Sequence, residues 1–248
     1  SVTTIIADCT DKSGALTQWA SNECVKYIRE NCTPIDLNPD PEQPLSYIVG
    51  ENDLNEARFA FKTVSKEALD VGSEVHAAIE QYLKSEHHPL VPLEGSLLDG
   101  MGDEAYNAFV AFTRWQKEVE LEPIGIEETI YGDSWAGTLD FRGFIKLPLW
   151  DRKKAFIIDW KSSKAIYPEM RYQIAAYRSK SHSVYQKNNG IKIQYPLEGC
   201  GILRLDKETG MPEFKDTTKS YEQDLKVFNC MVDLYFARHP IIRKKAGR

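Results

Sequence analysis

Phe156-Ile157-Ile158-Asp159-Trp160-Lys161 reads as one β-strand, and that reading decides the fold. Side chains alternate faces along a strand, so Asp159 and Lys161 share one face while Ile158 and Trp160 take the other. Ile157 shares the face of Asp159, so the strand is apolar on both sides and belongs at the centre of a sheet. It nevertheless ends in a carboxylate and an amine, and unpaired buried charges are costly. Gly137-Thr138-Leu139-Asp140 lies in the preceding apolar run, and a hairpin between the runs brings Asp140 beside Asp159. Two adjacent carboxylates raise each other's pKa unless a cation sits between them. A divalent metal held by Asp140 and Asp159 would neutralise both, and oxygen-rich sites of this kind suit Mg²⁺ or Mn²⁺. Such a metal can polarise a phosphodiester and supply a hydroxide-like nucleophile. Lys161 would then orient the water or stabilise charge on phosphorus. The plainer alternative is an Asp–Lys ion pair at a strand end, and Asp-x-Lys is too common a triplet to choose between them.

Strands are predicted on either side of this one, at 125–131, 135–146 and 199–205, with a further short one at 191–195. Leu147 to Lys153 forms a hairpin loop with a charged tip, and Asp206 to Gly210 a turn. A helix from Glu169 to Lys187 follows Pro168. It places Gln173 and Tyr177, four residues apart, on one face. Arg171, Arg178 and Lys180 surround the same helix and can grip phosphates, although an ordinary amphipathic edge explains Gln173 and Tyr177 equally well. A last helix, Ser220 to Arg238, packs Leu225, Phe228, Val232 and Tyr235 and stops before Pro240.

Toward the N-terminus, residues 103–120 form an amphipathic helix with Ala105, Phe109, Phe112 and Val119 inward. Residues 86–102 are loop, with His87-His88-Pro89 and Pro92. Residues 56–85 are helical, as one helix or as two broken near Val64-Ser65, with an apolar stripe of Val71, Val75, Ala78 and Tyr82. Gly72 and His76 lie one turn apart on a neighbouring face. Glycine within a helix costs about 1 kcal/mol relative to alanine, so Gly72 suggests close approach of something bulky. A lone histidine on a helix is more often a surface or core residue than a ligand, and periodicity leaves ligation the smaller share. Residues 33–55, with Pro34, Pro39, Pro41 and Pro44, read as an exposed linker. A β-branched run opens the chain, and a helix from Leu16 to Arg29 follows with Trp19, Cys24, Val25 and Ile28 inward. The whole is one mixed α/β domain with a helical N-terminal third.

At 248 residues, 42% hydrophobic and 27% charged, the chain can bury a sizeable core. No apolar run approaches the ~18 residues of a membrane span. The start, Ser1-Val2-Thr3-Thr4, lacks a signal-peptide layout and fits a processed or trimmed N-terminus. The five cysteines are scattered without a C-x-x-C pair, which suits a reducing compartment and argues against zinc or iron–sulfur ligation. The net charge of −6 argues against a nucleic-acid partner, but its distribution does not. From Arg152 to Lys192 ten basic residues stand against Asp159 and Glu169, a local charge of +8. Arg238, Arg243, Lys244, Lys245 and Arg248 add a basic tail. A basic stripe beside an acidic cluster fits a phosphate backbone crossing a metal site, and a solvated face is the alternative.

Taken together, Gly72-Ser73-Glu74-Val75-His76, Ile126-Glu127, Gly137-Thr138-Leu139-Asp140, Ile158 to Ser163 and Gln173-x-x-x-Tyr177 resemble the RecB-type branch of the PD-(D/E)XK nuclease superfamily. The segments come in that branch's order across residues 60–205. The stretch Ile158 to Lys164 is similar to phage exonucleases and to those that maintain mitochondrial genomes. Leu139 stands where the eponymous proline would be, as it often does in this branch.

The resemblance implies a restriction-endonuclease-like core, a mixed central sheet flanked by helices, within one nuclease domain. Residues 1–60 are its helical N-terminal portion, 61–205 the catalytic core, and 206–248 a C-terminal helix and basic tail. It implies a metal site from His76, Asp140, Asp159 and the Trp160 carbonyl, with Mg²⁺ or Mn²⁺ and neither an iron–sulfur cluster nor a nucleotide cofactor. Lys161 is the implied catalytic lysine. Gln173 and Tyr177 support the site or touch DNA, Glu127 matches the acidic strand position with Glu128 beside it, and Lys164 joins Arg171, Arg178 and Lys180 on nucleic acid. The activity implied is a metal-dependent deoxyribonuclease, an exonuclease on a DNA end or single strand, in recombination, repair or replication. A catalytically inactive DNA-binding scaffold and a structure-specific endonuclease are the alternatives. A helicase or single-strand-annealing protein would be a partner, since no Walker A motif is present. The cytoplasm of a bacterial or phage-infected cell, or a mitochondrion, is the implied setting.

Overall fold

The computed structural model describes residues 1–35, 46–87, 99–181, 183–188 and 191–240. Pro39, Pro41, Pro44, His88, Pro89, Pro92, Arg243, Lys244, Lys245, Arg248 and the side chains of His87, Lys187 and Lys192 lie outside the described residues.

The described chain runs α1 (Val2–Cys9), α2 (Ser13–Asn31), β1 (Thr33–Ile35), β2 (Ser46–Ile48), α3 (Glu51–Ala57), α4 (Ala60–His87), α5 (Asp103–Glu118), β3 (Glu120–Tyr131), β4 (Ala136–Lys146), β5 (Lys154–Lys161), α6 (Pro168–Lys180), β6 (Ser183–Asn188), β7 (Ile191–Pro196), β8 (Gly199–Leu205), β9 (Pro212–Asp216) and, after a 3₁₀ turn, α7 (Tyr221–Arg238). Contacts group these elements into two compact units. One comprises Ser1–Thr10 with Val71–Arg248, the other Asp11–Asp70.

The larger unit is an α/β layer structure around a five-stranded mixed sheet of order β3-β4-β5-β8-β9. β3, β4 and β5 form an antiparallel meander, β8 runs parallel to β5, and β9 returns antiparallel on the edge. A parallel pair needs a crossover, and α6 supplies it. β5 therefore occupies the centre, as its apolar character on both faces requires. Phe156, Ile158 and Trp160 pack with Leu203 and Leu205 of β8 against α4 and α5. Ile157 packs with Cys200 and Ile202 against α1, α6 and α7.

Several elements differ from the sequence reading, each for a local reason. The opening β-branched run is helical, because Val2, Ile5 and Ile6 are spaced for a helix face and all three are buried. α4 is unbroken through Val64-Ser65, where neither glycine nor proline interrupts it. α6 ends at Lys180 instead of Lys187, since Ser183–Asn188 pairs with Ile191–Pro196 as a hairpin. The Asn189-Gly190 dipeptide, a strong hairpin signal, stands between those strands in sequence. β3 begins five residues before its expected start, and β9 was not anticipated.

In the smaller unit, β1 and β2 pair and α3 follows within the stretch read as linker. Asp53 Oδ2 accepts the Gly50 N–H at 2.9 Å and caps α3. α2 buries none of its residues, and Val25, expected inward, is 48% exposed. Among the described residues no helix is long and apolar enough to cross a membrane.

Candidate active site

The site forms where the β3–β4 ribbon turns over. Ile126 and Phe141 are register partners and pack with the α4/α5 core. Leu139 and Ile130, a few positions nearer the turn, pack instead with the α6/α7 core. Alternate residues of a regular strand share a face, so the ribbon must reverse its faces between these pairs. The reversal falls on Glu127 and Asp140. Glu127 has φ 52°, the left-handed region that non-glycine residues rarely enter. Its neighbours Ile126 and Glu128 remain in register with Phe141 and Leu139, which sets Glu127 opposite Asp140. On the other side of β4, Phe141 pairs with Ile158, and the same register carried one step further sets Asp140 opposite Asp159. Three acids thus lie in one row across three adjacent strands.

Asp140 is 4% exposed and lies in the seam between strands, where its Oδ2 accepts the Trp160 N–H at 2.5 Å. From α4, His76 Nδ1 approaches Glu127 Oε1 at 3.4 Å and Asp140 Oδ1 at 3.5 Å. One ligand atom from each of His76, Glu127 and Asp140 lies within 4.8 Å of the others, a group able to hold a metal ion. Glu128 is not part of it: Arg142 grips its carboxylate with two bonds of 2.6 and 2.7 Å across the ribbon. Of the two adjacent glutamates, Glu127 is the one at the site.

Asp159 is fully buried and sits on the α6 side of β5. Gln173 Nε2 donates to its Oδ1 at 3.3 Å and to the Tyr177 hydroxyl oxygen at 3.1 Å. Lys161 ion-pairs with Oδ2, which has no other polar partner. Asp159 is therefore beside the three-ligand group without being one of its members. Trp160 reaches the site through its N–H while its indole packs in the core with Phe112, Trp115 and Phe141. Gly137 answers to Tyr177, since a Cβ there would lie 2.6 Å from the Tyr177 hydroxyl. Gly72 does not mark a bulky neighbour as expected. A Cβ on it would meet only Ser162 Oγ, at an ordinary 3.6 Å.

Electrostatics follow from the crowding of acids. Burial, then the charge of Asp159, pushes the Asp140 carboxyl up from 3.8 to about 7. Burial pulls His76 down, but the Glu127 hydrogen bond and the charge of Asp140 together outweigh it and the imidazole is raised. Burial likewise opposes charge on Lys161, and Asp159 and Asp140 overcome it and raise the ammonium. Burial, then Asp159, raises the Tyr177 phenol, which stays neutral. The region carries more negative charge than its own cations offset.

The expected phosphate-binding cations are placed differently. Arg171 pairs with the buried Asp224 on α7 at 3.3 Å. Arg178 stacks 4.3 Å above the Tyr221 ring, and Lys180 meets Asp133 at 2.9 Å. Lys164 is 81% exposed and only brushes Glu208 at 4.0 Å. Sequence reasoning named His76 and Asp140 as ligands, gave Glu127 as an acidic strand position and not as a ligand, and expected Asp159 in the group it lies beside. What it missed was the turnover at Glu127, for which a sequence carries no signal.

No protein-family model matches the chain, and no curated protein matches it either.

Proposed function

We propose that this protein is a metal-dependent deoxyribonuclease of the PD-(D/E)XK superfamily, RecB-type branch, with a restriction-endonuclease-like core, acting as an exonuclease on a DNA end or single strand. The observation that carries the reading is the His76, Glu127 and Asp140 ligand group standing directly beside the Asp159–Lys161 pair. The order of the motifs along the chain supports it as well.

The donor set fits a divalent cation: two carboxylates suit Mg²⁺ or Mn²⁺, and the imidazole weighs toward Mn²⁺. His76, Glu127 and Asp140 would hold it, with the Trp160 carbonyl as a further ligand and Asp159 beside them, tied to Lys161 and Gln173. Bound there, it supplies Lewis-acid activation of a phosphodiester and of a water nucleophile. The chain's own residues do the remainder. Lys161, held as an ammonium by Asp159 and Asp140, would donate to the phosphate oxygen on which charge develops. Gln173 fixes the rotamer of Asp159, and Tyr177, seated over Gly137, fixes Gln173. The bidentate Arg142–Glu128 pair braces the ribbon next to Glu127.

The test is a time course on end-labelled single-stranded, duplex and circular DNA with Mg²⁺, Mn²⁺ or EDTA. Metal-dependent loss of linear DNA, with circles intact and Lys161→Ala inactive, is expected. DNA binding without cleavage under any metal would replace the enzyme with a scaffold. Cleavage of circles would make it an endonuclease.

A further inference from the structure

A nucleic-acid enzyme needs cations that are free to meet phosphate, and in this chain they are not where the basic residues are most numerous. From Arg152 to Lys180 most cations are already tied to a carboxylate: Arg152 to Glu198, Lys153 to Glu120 and Glu122, Lys161 to Asp159, Arg171 to Asp224 and Lys180 to Asp133. Lys154 and Arg178 lie on rings, and Lys164 only brushes Glu208.

In the smaller unit the balance is reversed. Residues 11–70 hold eleven acids and six cations, yet Arg58, Lys62 and Lys66 make no ion pair with any described residue, and no acid lies between Arg58 and Lys66 in sequence. Arg58 Cζ and Lys62 Nζ each stand 4.4 Å from the centre of the Phe59 ring. One ring thus positions two cations, through cation–π attraction to its quadrupole. The ring is itself 40% exposed, and Lys66 lies one helical turn beyond Lys62 on an exposed face of α4. Two cations held on one ring without an ion-paired acid can each meet a phosphate of one strand. Their headgroups are already seated, so less freedom is lost on binding. An apolar ring left 40% exposed beside them suits a strand whose bases are unpaired, because a duplex keeps the faces of its bases stacked inside.

We infer that Arg58 and Lys62, seated on Phe59, bind the phosphate backbone of single-stranded DNA. The identity of the polymer rests on the nuclease reading; the free cation pair does not. None of Arg58, Phe59 and Lys62 is among the residues assigned to catalysis.

The experiment is fluorescence anisotropy on the full chain in EDTA, with a labelled oligothymidylate of about 30 nucleotides titrated over a range of salt. For single strands each phosphate contact contributes about 0.7 to the slope of log affinity against log salt. Arg58→Gln/Lys62→Gln is therefore expected to lower the slope by about 1.4 and the low-salt affinity about tenfold. Lys62→Gln alone, at an exposed helical position that does not disturb the fold, lowers it by about 0.7. Arg152→Gln/Lys180→Gln leaves it at the wild-type value. A wild-type slope in both Lys62 variants, with wild-type protein still binding and cutting DNA, would overturn this inference and spare the nuclease reading. Failure of wild-type protein to bind the strand or cut any DNA would overturn both. A blunt duplex bound as tightly as the strand, and weakened equally by Phe59→Leu, would overturn the single-strand assignment.

Discussion

Between Arg152 and Lys180 six of eight cations meet carboxylates and two lie on rings, while among the described residues Arg58, Lys62 and Lys66 form no ion pair and the first two share a ring. The first region is the more basic by composition and the second belongs to an acidic unit. Partnership, and not composition, decides which of them can attract a polyanion. Arg171 shows why. Its guanidinium ties α6 to Asp224 on α7, and Ser220 Oγ completes that carboxylate's bonding at 2.6 Å. Such a cation holds Gln173 and Tyr177 in place from behind, and has little left for a phosphate.

The largest effect expected of any substitution is at the acidic row and its lysine. Lys161→Ala and Asp140→Asn should each lower the cleavage rate about 100- to 1,000-fold while oligothymidylate affinity in EDTA changes by less than about threefold. A comparable loss of binding would mean that these residues serve the surface instead of the chemistry. Next in size, Arg171→Gln should destabilise the fold by about 3 kcal/mol, because it strands the buried Asp224. Denaturant unfolding would show this, and an unchanged midpoint with a reduced DNA salt slope would move Arg171 into the phosphate-binding set.

The acidic row makes a prediction about pH. Asp140 titrates near 7 in the folded protein against 3.8 ordinarily, so over that window the folded state keeps a proton that the unfolded chain has released. Stability without metal is therefore highest below the ordinary value and is lost as pH rises through about 7. His76, also raised, adds to the loss above its ordinary 6.5. Thermal midpoints in EDTA should fall across this range for wild type and fall less for Asp140→Asn. Parallel curves would remove Asp140 as the source.

Two glycines give the smallest and most pointed contrast. Gly137→Ala drives a Cβ into Tyr177 and should cost about 1–3 kcal/mol. Gly72→Ala meets only Ser162 Oγ at 3.6 Å and should stabilise α4 by up to about 1 kcal/mol. Equal effects would show that the Tyr177 seat on Gly137 is not tight.

Much of the sheet was legible because burial imposes patterns. The two-sided apolar run of β5 fixed its central place, and the helical spacing of Ala105, Phe109 and Phe112 fixed α5. The spacing of Val2, Ile5 and Ile6 held the helical signal for α1 too, but β-branched composition masked it. At the site, Asp140, Asp159, Lys161 and His76 were visible as residue types. The preference for Glu127 over Glu128 was not, because it depends on a backbone reversal and on Arg142 claiming the other glutamate from the next strand. The state of each cation was equally hidden, since Glu198, Asp224 and Asp133 lie far from their partners in sequence.

The most direct test of the account is calorimetric titration of the metal-free protein with Mn²⁺. Wild type should bind one ion or more, with heat that vanishes in His76→Ala and Asp140→Asn and weakens in Glu127→Gln, while Glu128→Gln binds as wild type. Undiminished binding in Asp140→Asn, or none in wild type, would contradict a metal centre at the turn of the ribbon.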